Sequence, residues 1–213
     1  FRFERDGVKL HSHIAYGEAG KRNLLDIYQP TEAREGGFPI LLQVHGGAWV
    51  IGEKEQQAKP LLYHMAQRGW LCVAINYRLS PKDALPAHII DVKIAIAWIR
   101  EHAREYGGNP EFIAITGGSA GGHLSSLAAL TPNRAEWQPG FEQADTTLQA
   151  AVPFYGVYDF LDRNLAVEFQ QGRLTNDPYV IGQNYKMISV NTALQVDLSG
   201  QVCSQSIGPR LYS

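Results

Sequence analysis

Ser119 lies in Gly117-Gly118-Ser119-Ala120-Gly121, a serine bracketed by glycines in the pattern G-x-S-x-G. An apolar run, "FIAIT" (112–116), precedes it and a helix-like run follows. A sharp strand-to-helix turn requires small flanking residues and holds the serine exposed, with the free N–H groups and positive end of a helix dipole beneath any oxyanion that forms there. That is the arrangement of a serine nucleophile for acyl transfer. A second glycine signal, "VHGGAW" (44–49), directly follows another apolar run, "PILLQV" (39–44), where glycine would let a backbone approach a substrate oxygen.

Two other readings of the serine compete. Gly117 and Gly122 have the spacing of a phosphate-binding loop, but His123 and Leu124 stand where that loop needs its lysine and its Ser/Thr metal ligand. Ser119 could also serve as an ordinary helix N-cap. A nucleophilic serine needs a base, and the seven histidines are His11, His13, His45, His64, His88, His102 and His123. His123 follows the serine on the same helix and should point away from it. His45 is expected to brace its glycine loop. "HSH" at 11–13 would place two imidazoles on one strand face, without an evident third ligand, so no metal site is expected. Asp159 and Asp162 read as caps or surface acids.

The elements that must position these residues follow from periodicity. "VKLHSHIAYG" and "RNLLDIYQP" alternate around a turn and predict an antiparallel hairpin at one sheet edge. "PILLQV", "WLCVAINY" (70–77), "FIAIT" and "LQAAVPFY" (148–155) are nearly continuous apolar runs, the pattern of strands buried on both faces of a parallel sheet. A helix is predicted over 87–105, with Ile90, Ile94, Ala97 and Trp98 as its apolar face and "GGNP" (107–110) as its stop. A second helix after Ser119 carries Leu124, Leu127 and Ala128 and ends at "TPN" (131–133). Strand and helix in alternation give an α/β fold, a mostly parallel sheet flanked by helices.

Composition narrows the function classes. A formal charge of −2 carries no basic excess for nucleic acid, and the apolar runs, such as "IAIAWI", are too short for a membrane span. Cys72 and Cys203, one in an apolar run and one in a polar tail, do not form a disulfide framework, which suits a reducing, cytoplasmic setting. Both ends read as cut. Beyond about residue 165 the chain turns Gln, Asn and Ser rich, with two short alternating runs, "KMISVN" and "ALQVDL", and no helix between them.

In order along the chain, "LDIYQP", "VHGGAWVIGEK", "INYRLSP", "PAHIIDVKIAIAWIREHAREYGGNP", "ITGGSAGGHLSSLAAL" and "VPFYGVYDF" resemble the esterase and lipase branch of the α/β-hydrolases, related to hormone-sensitive lipase and carboxylesterases. The resemblance covers about 8–164. It implies hydrolysis of a small-molecule carboxylic ester through an acyl-serine, with Ser119 as nucleophile, the amides of Gly46, Gly47 and Ala120 as oxyanion donors, and no cofactor. In that family the triad runs Ser, acid, histidine, whereas no histidine here follows 123. The expected organisation is therefore a hydrolase core over 1–165, truncated before its last strands, and an unrelated segment over 166–213. "NDP" and "VDLSGQV" in that segment resemble the acetyl-CoA hydrolase and CoA-transferase family. The chain then reads as an incomplete esterase, or as a non-catalytic hydrolase-like chain or artefactual fusion.

Overall fold

The computed structural model describes residues 6–158 and four two-residue strands between 195 and 211. Six strands form one mixed sheet in the order β1-β2-β4-β3-β5-β6. β1 (Val8–Ala15) and β2 (Leu24–Pro30) make the expected antiparallel edge hairpin. β2 pairs antiparallel with β4 (Leu71–Ile75), and from there β4, β3 (Phe38–Val44), β5 (Gly108–Gly118) and β6 (Ala150–Phe154) run parallel.

Strand alternation divides the core. Ile40, Leu42 and Val44 of β3 face α2 (Ala87–His102) and α3 (Ala120–Leu130), packing with Val73, Ile75, Ile89, Ile96 and Leu124. Leu41 faces the other way, joining Tyr28, Cys72 and Ala114 beneath α1 (Lys59–Gln67) through Leu62 and Tyr63. β3 and β4 are thus buried on both faces, as their unbroken apolar runs require. β6 departs from that expectation. Among the described strands it lies at the edge opposite β1, bonded only to β5, and Val152 is half exposed.

α2 also turns differently from its predicted face. Ile89, Val92, Ala95, Ile96 and Ile99 enter the core, whereas Ile90, Ile94, Ala97 and Trp98 are only partly buried and line a surface concavity of about 1110 Å³. The helix is apolar over most of its circumference, so spacing alone did not say which stripe the sheet would take. Gly107 closes the following 3-10 turn in the left-handed conformation (φ 77°), and β5 begins at Gly108, earlier than the run at 112.

The chain divides into two compact units, Phe1–Val157 and Tyr158–Ser213. In the second, Gln195–Val196 pairs antiparallel with Val202–Cys203, so the first and last residues of "VDLSGQV" are strand partners. Ser206–Ile207 pairs with Arg210–Leu211 in the same sense. "KMISVN", Asp159, Asp162 and the boundary expected at 165 lie outside the described residues.

Candidate active site

Ser119 joins β5 directly to α3. Its backbone is at φ 55°, ψ −122°, in the positive-φ region that a serine occupies only when its surroundings compel it. Its N–H donates to the Phe154 carbonyl (3.0 Å) and its carbonyl accepts from His123 N–H (2.9 Å). It stands at the N-cap position with no side-chain bond to the helix, so capping does not use the hydroxyl. The strained conformation distinguishes this turn from an ordinary cap.

The neighbouring backbones are packed to contact. A methyl group at Gly121 would overlap the Val44 carbonyl oxygen and come within 2.6 Å of His45 O. One at Gly46 would lie 2.6 Å from Gly118 O and 3.4 Å from the Ser119 Cβ. The spacing of "GGSAG" and "HGG" therefore records a mutual approach of two loops, and Gly46 sits beside the serine as the sequence predicted. Gly47 (φ 119°) follows, its carbonyl accepting from Val50 and Ile51 at 3.0 Å each. Ala120 is fully buried at the first position of α3.

One amide differs from its expected role. Gly46 N–H donates to Gln57 Oε1 at 2.8 Å, so this donor is already engaged. Gln57 stands just before α1, and nothing in its local sequence signalled the contact. It arises because the loop after "HGG" folds back onto Gly46.

His45 is fully buried. Its Nδ1 donates to Gly46 O (2.7 Å), its ring stacks on Tyr77 (4.3 Å between centroids, 17°), and its carbonyl accepts from Tyr77 Oη (3.0 Å). Burial pulls its pKa down to about 4, which keeps it neutral. It braces the loop. His123 is buried edge-on to Trp49 (5.2 Å) with neither ring nitrogen hydrogen-bonded to a described residue, and burial also lowers its pKa. Neither histidine, therefore, hydrogen-bonds to the Ser119 hydroxyl. His11 contacts Gln29, His88 contacts Ser80 and His102 contacts Glu105, while His64 is exposed on α1.

His13 departs from the sequence reading. A register shift between His11 and Ile14 breaks the alternation of β1, and His13 takes φ 60°. Its N–H donates to Asp26 and its ring meets Lys54 Nζ at 3.2 Å, while His11 packs against Tyr106. The two imidazoles thus have separate partners. Lys54 and Asp26 form an ion pair at 3.0 Å, with only 1% and 3% of their side chains exposed. Lys54 N–H donates to Asn76 Oδ1 (2.7 Å), and Arg22 holds Gly52 O (3.0 Å). These contacts tie the far end of the 45–54 loop to the edge hairpin and β4.

A family model described as BD-FAE matches residues 25–195. The chain belongs to the BD-FAE family. That match crosses the boundary expected at 165. Among curated relatives, LipM of Mycobacterium tuberculosis, described as a probable carboxylic ester hydrolase, is 64% identical over 148 residues, 69% of this chain and 34% of LipM. Esterase LipQ of the same organism is 57% identical over 149 residues, 70% of this chain and 35% of its own. A solved structure of a truncated carbohydrate esterase from gut microbiota superposes with a TM-score of 0.64 at 27% identity, covering 73% of this chain and 60% of that one. The BD-FAE chain thus has the α/β-hydrolase fold of esterases, and spans about a third of the length of these curated relatives. Among its described residues no helix is long and apolar enough to cross a membrane.

Proposed function

We propose that the chain is a carboxylic ester hydrolase core acting through an acyl-serine at Ser119. The observation that carries this is the strained serine between β5 and α3, against Gly46, with its hydroxyl unused by the helix. The hydroxyl would add to the ester carbonyl, and the oxygen that gains the charge would be met by the amides of Gly47 and Ala120 at the positive end of α3. Gly46 would add a third donor only if Gln57 moved aside. The names of LipM and LipQ agree with an ester substrate.

No histidine placed in the structure reaches the serine, and none follows 123 in the sequence. Without a base the serine stays protonated and weakly nucleophilic. Loss of a triad base costs on the order of 10⁶ in kcat, while oxyanion donors and binding retain roughly 10³–10⁴ over water. The 213-residue chain is accordingly expected to hydrolyse an activated aryl ester slowly and to carry the acyl group on Ser119, and Ser119→Ala to remove that adduct from intact-mass spectra. No adduct on the unmodified chain, or one that survives in Ser119→Ala, would overturn the proposal.

A second reading concerns the tail. LipM and LipQ match 148 and 149 of the 213 residues, and "NDP" and "VDLSGQV" favour an origin of about 168–213 in the acetyl-CoA hydrolase and CoA-transferase family. On this reading the hydrolase domain ends near 165 and the rest has no part in ester chemistry. Deleting 168–213 should then leave acylation of Ser119 unchanged, and its loss would count against a separate tail.

A further inference from the structure

The surface beside Ser119 contains a group that the reaction does not use. A concavity of about 500 Å³ is lined by Gln43, Gln57, Leu61, Thr116, Phe154 and Tyr155, among others, together with the serine. Gln43 is the penultimate residue of β3, in register with Thr116 of β5 and Ala74 of β4, and is 3% exposed. Its position is unusual for an amide: every other β3 residue from Ile40 to Val44 is apolar.

The orientation of that amide is set by its neighbours. Nε2 donates to the Val44 carbonyl at 3.2 Å, so a flip would set oxygen against oxygen. Oε1 is then the free atom of the amide, buried, and it accepts no hydrogen bond from any described residue. Thr116 cannot supply one, because its hydroxyl donates to Val152 O at 2.7 Å. A buried acceptor without a donor is destabilising, so a ligand that brings one binds better than an isostere that does not.

We propose that Gln43 is a specificity-determining residue, whose Oε1 accepts a hydrogen bond from a hydroxyl group carried by the ester in this concavity. Esters bearing such a hydroxyl are favoured over plain alkyl esters of the same size. This rests on the reading of Ser119 as the nucleophile, since it is the serine that brings the ester to Gln43.

Ketones that copy an ester without being hydrolysed test it on the intact chain. The probes are 4-hydroxy-2-butanone and its isostere 2-pentanone, titrated while following the glutamine side-chain amide resonances. The unmodified chain should bind the hydroxyketone about 3- to 10-fold more tightly, the range of one neutral hydrogen bond. Gln43→Met, of matching length but without the acceptor, should bring the ratio to about one, and Gln43→Glu, which keeps an acceptor, should preserve a preference. Gln43→Asn, which withdraws the oxygen by one methylene, gives a second loss-of-preference variant if the methionine form does not fold. Equal affinity in the unmodified chain, binding of neither ketone, or a preference that survives in Gln43→Met or Gln43→Asn would each overturn the proposal. If the preference behaves as expected while no acyl adduct that depends on Ser119 forms with an activated aryl ester, the reaction assigned to Ser119 fails and the hydroxyl-binding role of Gln43 stands.

Discussion

Two segments meet at Ser119, and they are held in different ways. The 117–121 turn is fixed by backbone packed on backbone, with Gly121 against the Val44 carbonyl and Ser119 N–H bonded to Phe154 O. The 45–54 loop is fixed by side chains that come from far along the chain: Tyr77 on His45, Arg22 on Gly52, Asp26 on Lys54, Asn76 on the Lys54 amide. The first kind of support is steric and local. The second is electrostatic and distributed, and it responds to substitution and to pH in ways the first does not.

The sharpest way to separate them is to break the ion pair. Lys54→Met leaves Asp26 buried without its cation, and removing one partner of a buried pair costs about 3–5 kcal/mol. Urea unfolding monitored by circular dichroism should report that loss. Lys54→Met combined with Asp26→Leu should recover most of it, because two apolar groups carry no unpaired charge. Equal losses in the single and double variants would show that packing, not charge, holds this end of the loop.

On the steric side, Gly121→Ala adds a methyl group where the Val44 and His45 carbonyl oxygens already stand. An expected loss of about 3 kcal/mol follows from forced displacement of close-packed backbone. A fall below about 1 kcal/mol would mean that the two loops separate easily.

This difference also explains what could be read in advance. The turn was legible because glycine at fixed spacing has few other causes, and the mixed sheet because β3 and β4 are unbroken apolar runs. The anchors of the 45–54 loop were not. Lys54 and Asp26 are ordinary charged residues 28 positions apart, and only the pairing of β2 with the rest of the sheet makes them partners. Gln57 was likewise missed, since its role depends on the loop folding back onto Gly46. His13 was misread because a bulge interrupts the alternation on which the two-histidine face depended.

Acid should affect the two segments unequally. Burial holds His45 at about 4, against 6.5 for an exposed histidine. Between these values the unfolded chain binds a proton that the folded one refuses, so stability is complete above about 6.5 and falls as pH drops toward 4. The loss from this residue reaches up to about 3 kcal/mol. His88 and His123, also lowered by burial, act in the same direction. His45→Asn, which retains a donor near the Nδ1 position, should flatten the slope of unfolding free energy against pH over that window. An unchanged slope would assign the acid sensitivity to the other two histidines.

The smallest effect tests a single atom of the loop's support. Tyr77 contributes both a ring stacked on His45 and a hydroxyl that donates to the His45 carbonyl at 3.0 Å. Tyr77→Phe keeps the stack and removes the bond, with an expected cost of about 1 kcal/mol. The same carbonyl lies against Gly121, so it couples the side-chain support of one loop to the steric support of the other. If the two supports are independent, the costs of Tyr77→Phe and Gly121→Ala should add within about 0.5 kcal/mol in the double variant. If the hydroxyl is what keeps the His45 carbonyl pressed toward Gly121, removing it lets that oxygen retreat from the added methyl, and the double variant should unfold at a higher urea concentration than the sum predicts.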